Sequence, residues 1–310
     1  VNAVFFAALC LIWGSTWMAI KINLGSFPPF FSAGLRFLLA GFVLLAAMKF
    51  AKVSFPGEWR KLSPSFVFGL LNGISYGLIY WGEQYIPSGL TAVLNASLPF
   101  FSIIFAAMFI GERITLRKVF GSIIGFAGVL LLFYESLSEL GSGKIMGEIA
   151  IVVAAAVYAL AGVHVKKRSS VEPLAAVTVQ MLTAAAVLLL VALPVEYGAA
   201  VHFTWRGLAA FMYLSLFGSA VAFYLYNHLI LRMEVTALSY TSLITPAIAT
   251  LLGVLIMEEE LNGFMIIGMI LIFTGTAIIN IKGAHRSRDK LPDLSADSEP
   301  YRQSEELRQS

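Results

Sequence analysis

A chain of 310 residues that is 59% hydrophobic and only 13% charged, with a mean hydropathy of +0.84, has more apolar surface than a soluble domain can bury. Most of it must face lipid. The formal net charge of +3 is small, so the placement of the basic residues matters more than their sum, and it gives no reason to expect a nucleic-acid partner.

A spanning helix needs about 20 mainly apolar residues. Breaks at charges, Pro and Gly predict ten of them, at roughly 3–22, 30–49, 64–82, 88–111, 117–134, 147–165, 174–194, 207–230, 235–257 and 262–281. The loops between them are short, which predicts one ten-helix unit over 1–283 and no soluble domain with chemistry of its own. The first segment lacks a basic flank and a small-residue cleavage site, and it is long enough to span, so it reads as a membrane helix rather than a signal peptide. Residues 284–310 are polar, mixed in charge and aperiodic, and are expected to form a disordered cytoplasmic tail. The single cysteine, Cys10, excludes an internal disulfide.

With both termini inside, the cytoplasmic side collects Lys49, Lys52, Arg60, Lys61, Arg113, Arg117, Lys118, Lys166, Lys167, Arg168 and Arg232, together with six basic residues from Lys282 onward. The outer side receives only Lys144 and Arg206. Positive charge is retained on the cytoplasmic face of membrane proteins, so this split predicts a multi-pass protein of the cytoplasmic (inner) membrane with both ends inside.

The chain also repeats itself. "PFFSIIFAAMFIGERITLRKVFGSIIGFAG" from Pro99 aligns without a gap on "PAIATLLGVLIMEEELNGFMIIGMILIFTG" from Pro246. Pro99/Pro246, Glu112/Glu259, Gly121/Gly268, Ile123/Ile270, Phe126/Phe273 and Gly128/Gly275 coincide. Upstream, an offset of 145 pairs Trp13 with Tyr158 and Lys21 with Lys166. The copies cover about 3–134 and 147–281. Five helices is an odd number, so the second copy must enter the membrane from the opposite side. The break at Glu112 then lies in the cytoplasm among Arg and Lys, and the break at Glu259 lies outside and sheds them. The expected fold is an all-α membrane protein, an inverted five-plus-five repeat around a pseudo-twofold axis in the membrane plane.

"WGSTWMAIK" (13–21), "AGLRFLLAG" (33–41) and the twice-written Pro…Glu…Gly pattern resemble the drug/metabolite transporter superfamily in its EamA-type branch. The resemblance covers all ten helices. It implies a ten-helix secondary transporter, often an exporter of amino acids or related metabolites. The second copy departs from the pattern at Tyr158 (for Trp), at Met181 opposite Arg36 and in "EEE" for "GER".

Several chemistries are absent. No Asp precedes Asp289, and no G-x-x-x-x-G-K-[ST] loop for ATP exists. The membrane Glu residues lie at or near predicted helix ends, so neither an acidic metal cluster nor a midplane carboxylate relay is expected. No catalytic set, metal or cofactor follows from the residues. His164 and His228 read as interfacial or packed.

A small-molecule site in such a fold belongs near the midplane, between the repeats, on polar and aromatic side chains that lipid would reject. Trp13, near mid-span, shares a face with Trp17 and Lys21. Asn72, Tyr76 and Tyr80 recur every four residues beside a close-approach row of Gly69, Gly73 and Gly77. Trp13, Asn72, Tyr76, Asn95, Tyr158 and Tyr240 are the expected substrate contacts. Lys21 either snorkels outward or serves as an outer gate or a contact for a substrate carboxylate. Pro99 and Pro246, inside spans, are expected to kink their helices and act as paired hinges. Glu112 and Glu259 are expected to cap the helices that follow them. Arg36 can snorkel, bind backbone carbonyls or attract a carboxylate. The expected partners are a small-molecule substrate and the lipid bilayer, with a homodimer possible and a monomer sufficient. Efflux of drugs, nucleotide sugars or lipid-linked compounds, a polytopic membrane enzyme, and a sensor or scaffold are the competing readings.

Overall fold

The computed structural model describes residues 2–136, 143–166, 171–230 and 241–280. Tyr240 and the 284–310 tail lie outside them. Every regular element among the described residues is helical: α1 Asn2–Leu24, α2 Pro29–Phe50, α3 Trp59–Gly82, α4 Ser88–Asn95, α5 Leu98–Ile110, α6 Leu116–Ser136, α7 Lys144–Lys166, α8 Pro173–Val195, α9 Trp205–Tyr213, a π-helical turn Leu214–Val221, α10 Ala222–Ile230, α11 Thr241–Met257 and α12 Gly263–Asn280. Among the described residues, eight helical stretches are long and apolar enough to cross a membrane, two of them being α4–α5 together and α9–α10 together. The last two predicted spans are present as shorter apolar helices, Ile244–Met257 and Gly263–Ile279.

Glycine decides which helices touch. A Cβ on Gly14 of α1 would stand 2.6 Å from the Cβ of Ile248 on α11. Gly34 of α2 faces Leu189 of α8 in the same way, and Gly69 of α3 lies against Thr183 and the Gln180 carbonyl. Gly73 abuts Ala184. At the α3–α7 crossing Gly82 and Gly147 lie against each other's carbonyls, and the buried Ser75 hydroxyl donates to the Ala154 carbonyl at 2.9 Å. Without a hydrophobic drive between helices in lipid, such close backbone approach and buried hydrogen bonds supply the association.

The α6–α12 pair is cross-matched. Gly121 meets the Gly275 carbonyl and Gly128 meets the Gly268 carbonyl, at 2.7 and 2.6 Å from the position a Cβ would take. These are the glycines that coincide in the sequence alignment, each meeting the partner of the other. The ends of α5 and α11 also match. Gly111 (φ 67°) and Glu258 (φ 55°) are both left-handed, and the next residue's N–H reaches back to the Ala106 carbonyl at 3.2 Å and to the Gly253 carbonyl at 3.1 Å.

One expected kink is a full break. Pro99 does not interrupt a continuous helix; it stands in the first turn of α5, after a turn at Ala96–Ser97 that ends α4. Proline is tolerated at a helix start because its missing N–H has no intrahelical acceptor there. Pro246 does lie inside α11.

Candidate functional site

Arg36 occupies the interior. It is 1% exposed, so the snorkelling alternative is wrong. Its Nε donates to the Ser219 hydroxyl at 2.7 Å, Nη1 to the Tyr80 hydroxyl at 3.2 Å and Nη2 to the Gly218 carbonyl at 3.2 Å. Ser219 and Gly218 both belong to the π-helical turn, a feature that interrupts the regular bonding ladder and recurs at functional sites. Gly218 is glycine for a steric reason: a Cβ would lie 2.9 Å from Thr16 Cγ2 and 3.2 Å from Arg36 Nη2. The guanidinium carbon stands 5.1 Å from the Tyr76 ring centre and 5.3 Å from that of Phe37, within cation–π range.

The rings continue from there. Tyr76 meets Phe37 edge-on at 4.9 Å and Phe223 at 6.4 Å; Phe223 meets Trp13 at 5.8 Å, and Trp13 meets Tyr226 at 5.3 Å. Tyr158 sits on Phe68 at 5.7 Å and within electrostatic reach of Tyr76 and Tyr226. Three expected residues on three helices, Trp13, Tyr76 and Tyr158, are thus brought into one aromatic cluster. Asn72, one turn before Tyr76, is fully buried with neither amide atom hydrogen-bonded in the protein. The Trp13 Nε1 and the Gln180 Oε1 are also unpartnered. Buried polar groups are nearly always bonded, so these are ready to receive a polar ligand or water. Asn95 ends α4 half-buried, and among the described residues no hydrogen bond or ring contact ties it to the cluster. His228 packs on Phe5 and Tyr224.

A second assembly gathers at the link between α3 and α4. Lys21 does not snorkel into water: its Nζ donates to the carbonyls of Glu83 at 2.7 Å, Ile86 at 2.8 Å and Gln84 at 3.4 Å, in the link between α3 and α4. Glu259 caps a helix, but a different one from the one expected. Its Oε1 accepts from the Ser88 N–H and hydroxyl, both at 2.7 Å, and its Oε2 from the Gly89 N–H at 2.9 Å, so it caps α4 from the far half of the chain. The helix that follows it, α12, is served by Asn262, whose Oδ1 accepts from the Met265 N–H at 2.9 Å. A side chain on Gly89 or Gly253 would run into the Glu259 carboxylate. Glu112, by contrast, is exposed and pairs with Lys118 Nζ at 2.7 Å.

Glu83 stands beside this assembly, one residue past α3. It is 0% exposed, and among the described residues neither carboxylate oxygen has a hydrogen-bond partner. Burial pushes its carboxyl well above the usual carboxylate range; Lys21 pulls it down, Glu259 pushes it up and Arg36 pulls it down. Its place at a predicted helix end kept it out of the expected midplane site. The signal missed was that Asn72, Tyr76, Tyr80 and Glu83 form one continuing helical stripe, with steps of four, four and three. Phe37, Phe223 and Tyr226 were likewise outside the expected contacts, because an aromatic ring in an apolar span carries no local mark.

Fold and site define a multi-pass, all-helical membrane protein with a polar-aromatic interior and a charged cluster at the α3–α4 link. The EamA-like transporter family model matches it twice, at residues 2–134 and 145–281, and the chain belongs to that family. It is a membrane transporter of the drug/metabolite type and not an enzyme. It is 30% identical over 283 residues to the "Uncharacterized inner membrane transporter YedA" of Escherichia coli (strain K12), covering 89% of this chain and 91% of that protein. It is 26% identical to the "Probable amino-acid metabolite efflux pump" of the same strain, over 91% of this chain and 95% of that one. A crystal structure 21% identical to it superposes with a TM-score of 0.67, over 90% of this chain and 97% of the other, which shows a shared fold.

Proposed function

We propose that this transporter is a secondary carrier that exports small metabolites, amino acids or related compounds foremost, by alternating access around the cluster of Trp13, Asn72, Tyr76 and Tyr158. The observation that carries the reading is the pair of buried, unpartnered groups, the Asn72 amide one turn from Tyr76 and the Trp13 indole joined to Tyr76 through Phe223, with the Arg36 guanidinium against the Tyr76 ring. That combination offers hydrogen bonds and an apolar wall to a small amphipathic molecule, and a cation to its carboxylate. The efflux-pump relative supports the amino-acid class.

The halves act as an inverted five-plus-five repeat. Support comes from the double family match, from the cross-matched glycines of α6 and α12, and from the identical turns after α5 and α11. Two interchangeable halves let the molecule open to either side around a fixed centre. The distribution of basic residues supports an orientation with both termini in the cytoplasm, in which the gate of Lys21 and Glu259 faces outward. Lys21, Pro99 and Pro246 move with it as gate and hinges. One chain holds the whole cluster, so a monomer suffices.

The test is counterflow in proteoliposomes preloaded with a panel of L-amino acids. Accelerated exchange relative to protein-free vesicles is expected. Asn72→Ala and Trp13→Ala are each expected to slow it by up to about tenfold, the equivalent of about 1.4 kcal/mol, with folded protein retained. No exchange across the panel rejects amino acids and turns the search to drugs, nucleotide sugars and lipid-linked compounds; exchange unaffected by both substitutions rejects the site.

A further inference from the structure

We propose that Glu83 is a proton-binding site of the carrier, holding a proton while the Lys21–Glu259 gate is closed and releasing it when that gate opens to water. The proposal rests on the alternating-access reading above. It starts from a carboxyl group that is fully enclosed and, among the described residues, has no hydrogen-bond donor.

The donors nearby are all in use. Lys21, facing Glu83 from α1, directs its ammonium at three backbone carbonyls, one of them that of Glu83 itself. The Ser88 N–H and hydroxyl and the Gly89 N–H go to Glu259, the carboxylate that approaches from the α11 turn. Arg36, from α2, gives its bonds to Ser219, Tyr80 and Gly218. Tyr80, one turn back on α3, is bound to Arg36. On α7 the fully buried Glu148 follows Gly147, which touches Gly82. The surroundings therefore comprise two cations and two further acids, and none of the hydrogen bonds found around Glu83 goes to its carboxylate.

An ionised carboxylate in such a place loses its hydration and gains only distant attraction, whereas the neutral acid loses far less. Opening the gate separates α4 from Glu259 and exposes the 83–86 link, so water can reach the carboxyl. It then ionises. The step is a proton transfer alone: on closing, one carboxylate takes one proton from water and becomes a carboxylic acid, and on opening the reverse occurs. The stripe from Glu83 through Tyr80 to Arg36 joins this proton to the substrate site. A substrate carboxylate near Arg36 offsets the cation that favours ionised Glu83, so substrate and proton occupancy are linked.

The experiment combines infrared spectroscopy with transport. Wild type and variants are reconstituted in phosphatidylethanolamine/phosphatidylglycerol vesicles, and the carbonyl stretch of protonated carboxylic acids is followed over pH. The expected result is a component present at neutral pH, lost in Glu83→Gln and kept in Glu148→Gln. In Lys21→Met it should persist to higher pH, because the cation that favours ionisation is gone; this arm decides the matter if Glu83→Gln fails to fold. Absence of the component in wild type at neutral pH, its survival in Glu83→Gln, or no shift in Lys21→Met overturns the proposal. In proteoliposomes with an amino acid that passes counterflow, Glu83→Gln should keep exchange and lose accumulation driven by a pH gradient. Gradient-driven accumulation that persists in this variant also overturns it. If wild type exchanges nothing in the panel, the substrate reading fails and the infrared result still decides whether Glu83 holds the proton.

Discussion

Glu258 holds a left-handed backbone (φ 55°) where the matching turn of the first half has Gly111 (φ 67°). A side chain in that region crowds the following carbonyl, at about 1–2 kcal/mol. Glu258→Gly is therefore expected to stabilise the protein by about 1 kcal/mol, visible as a raised thermal midpoint in detergent. Tyr80→Phe removes the hydroxyl that accepts from Arg36 Nη1 and leaves a buried N–H unpaired, which costs about 1–3 kcal/mol. Glu83 sets a pH dependence. Its carboxyl is raised in the folded state, so the stability it contributes is complete below the ordinary Glu value and is lost as pH rises through the raised one. Thermal melts of wild type should show this fall towards alkaline pH, and Glu83→Gln should remove it. The Asn72–Tyr76–Tyr80 stripe was legible in the sequence as a period-four pattern. That Arg36 would be enclosed rather than snorkelled was not, because an arginine two turns from a helix end can do either, and the choice depends on a π-helical turn 182 and 183 residues away.

At the scale of helices, free N-terminal N–H groups are answered by carboxylates brought from other parts of the chain. Glu196 accepts from the Phe30 and Phe31 N–H groups, both at 2.7 Å, and so caps α2; Glu259 caps α4. Glu172 caps its own helix, α8, through the Ala175 N–H. Near a membrane, where water is scarce, an uncapped helix start is costly, and a carboxylate there also meets the positive end of the helix dipole. Glu259→Ala is expected to cost about 1–2 kcal/mol through the lost cap. It should also loosen the closed end, which a rise in hydrogen exchange at Ser88 and Gly89 would register. Equal exchange in wild type and variant would argue that Glu259 does not hold the gate. The capping role itself was readable in the sequence, since Glu stands beside a helix break in both copies. Which helix it caps was not, because the α4 terminus lies 170 residues earlier and only the folded chain brings it there.

At the scale of the molecule, the two halves meet where glycine lets backbones touch. Gly275→Leu places a side chain on the Gly121 carbonyl and the Gly125 backbone, and should push α6 from α12 with loss of folded protein. Gly162→Ala, on α7 with nothing within 4 Å, should be neutral or stabilise by up to about 1 kcal/mol through helix propensity. Comparable losses in both would show that glycine contacts do not hold the halves together. The class of the protein, its helical spans and its internal duplication follow from sequence alone, because lipid imposes a hydropathy pattern that is written locally and in order. Tertiary structure decided what surrounds Arg36, which helix Glu259 caps, and that Glu83 is enclosed without a donor. Each of these depends on residues far apart in the chain, and burial of a charge is a property of everything packed around it.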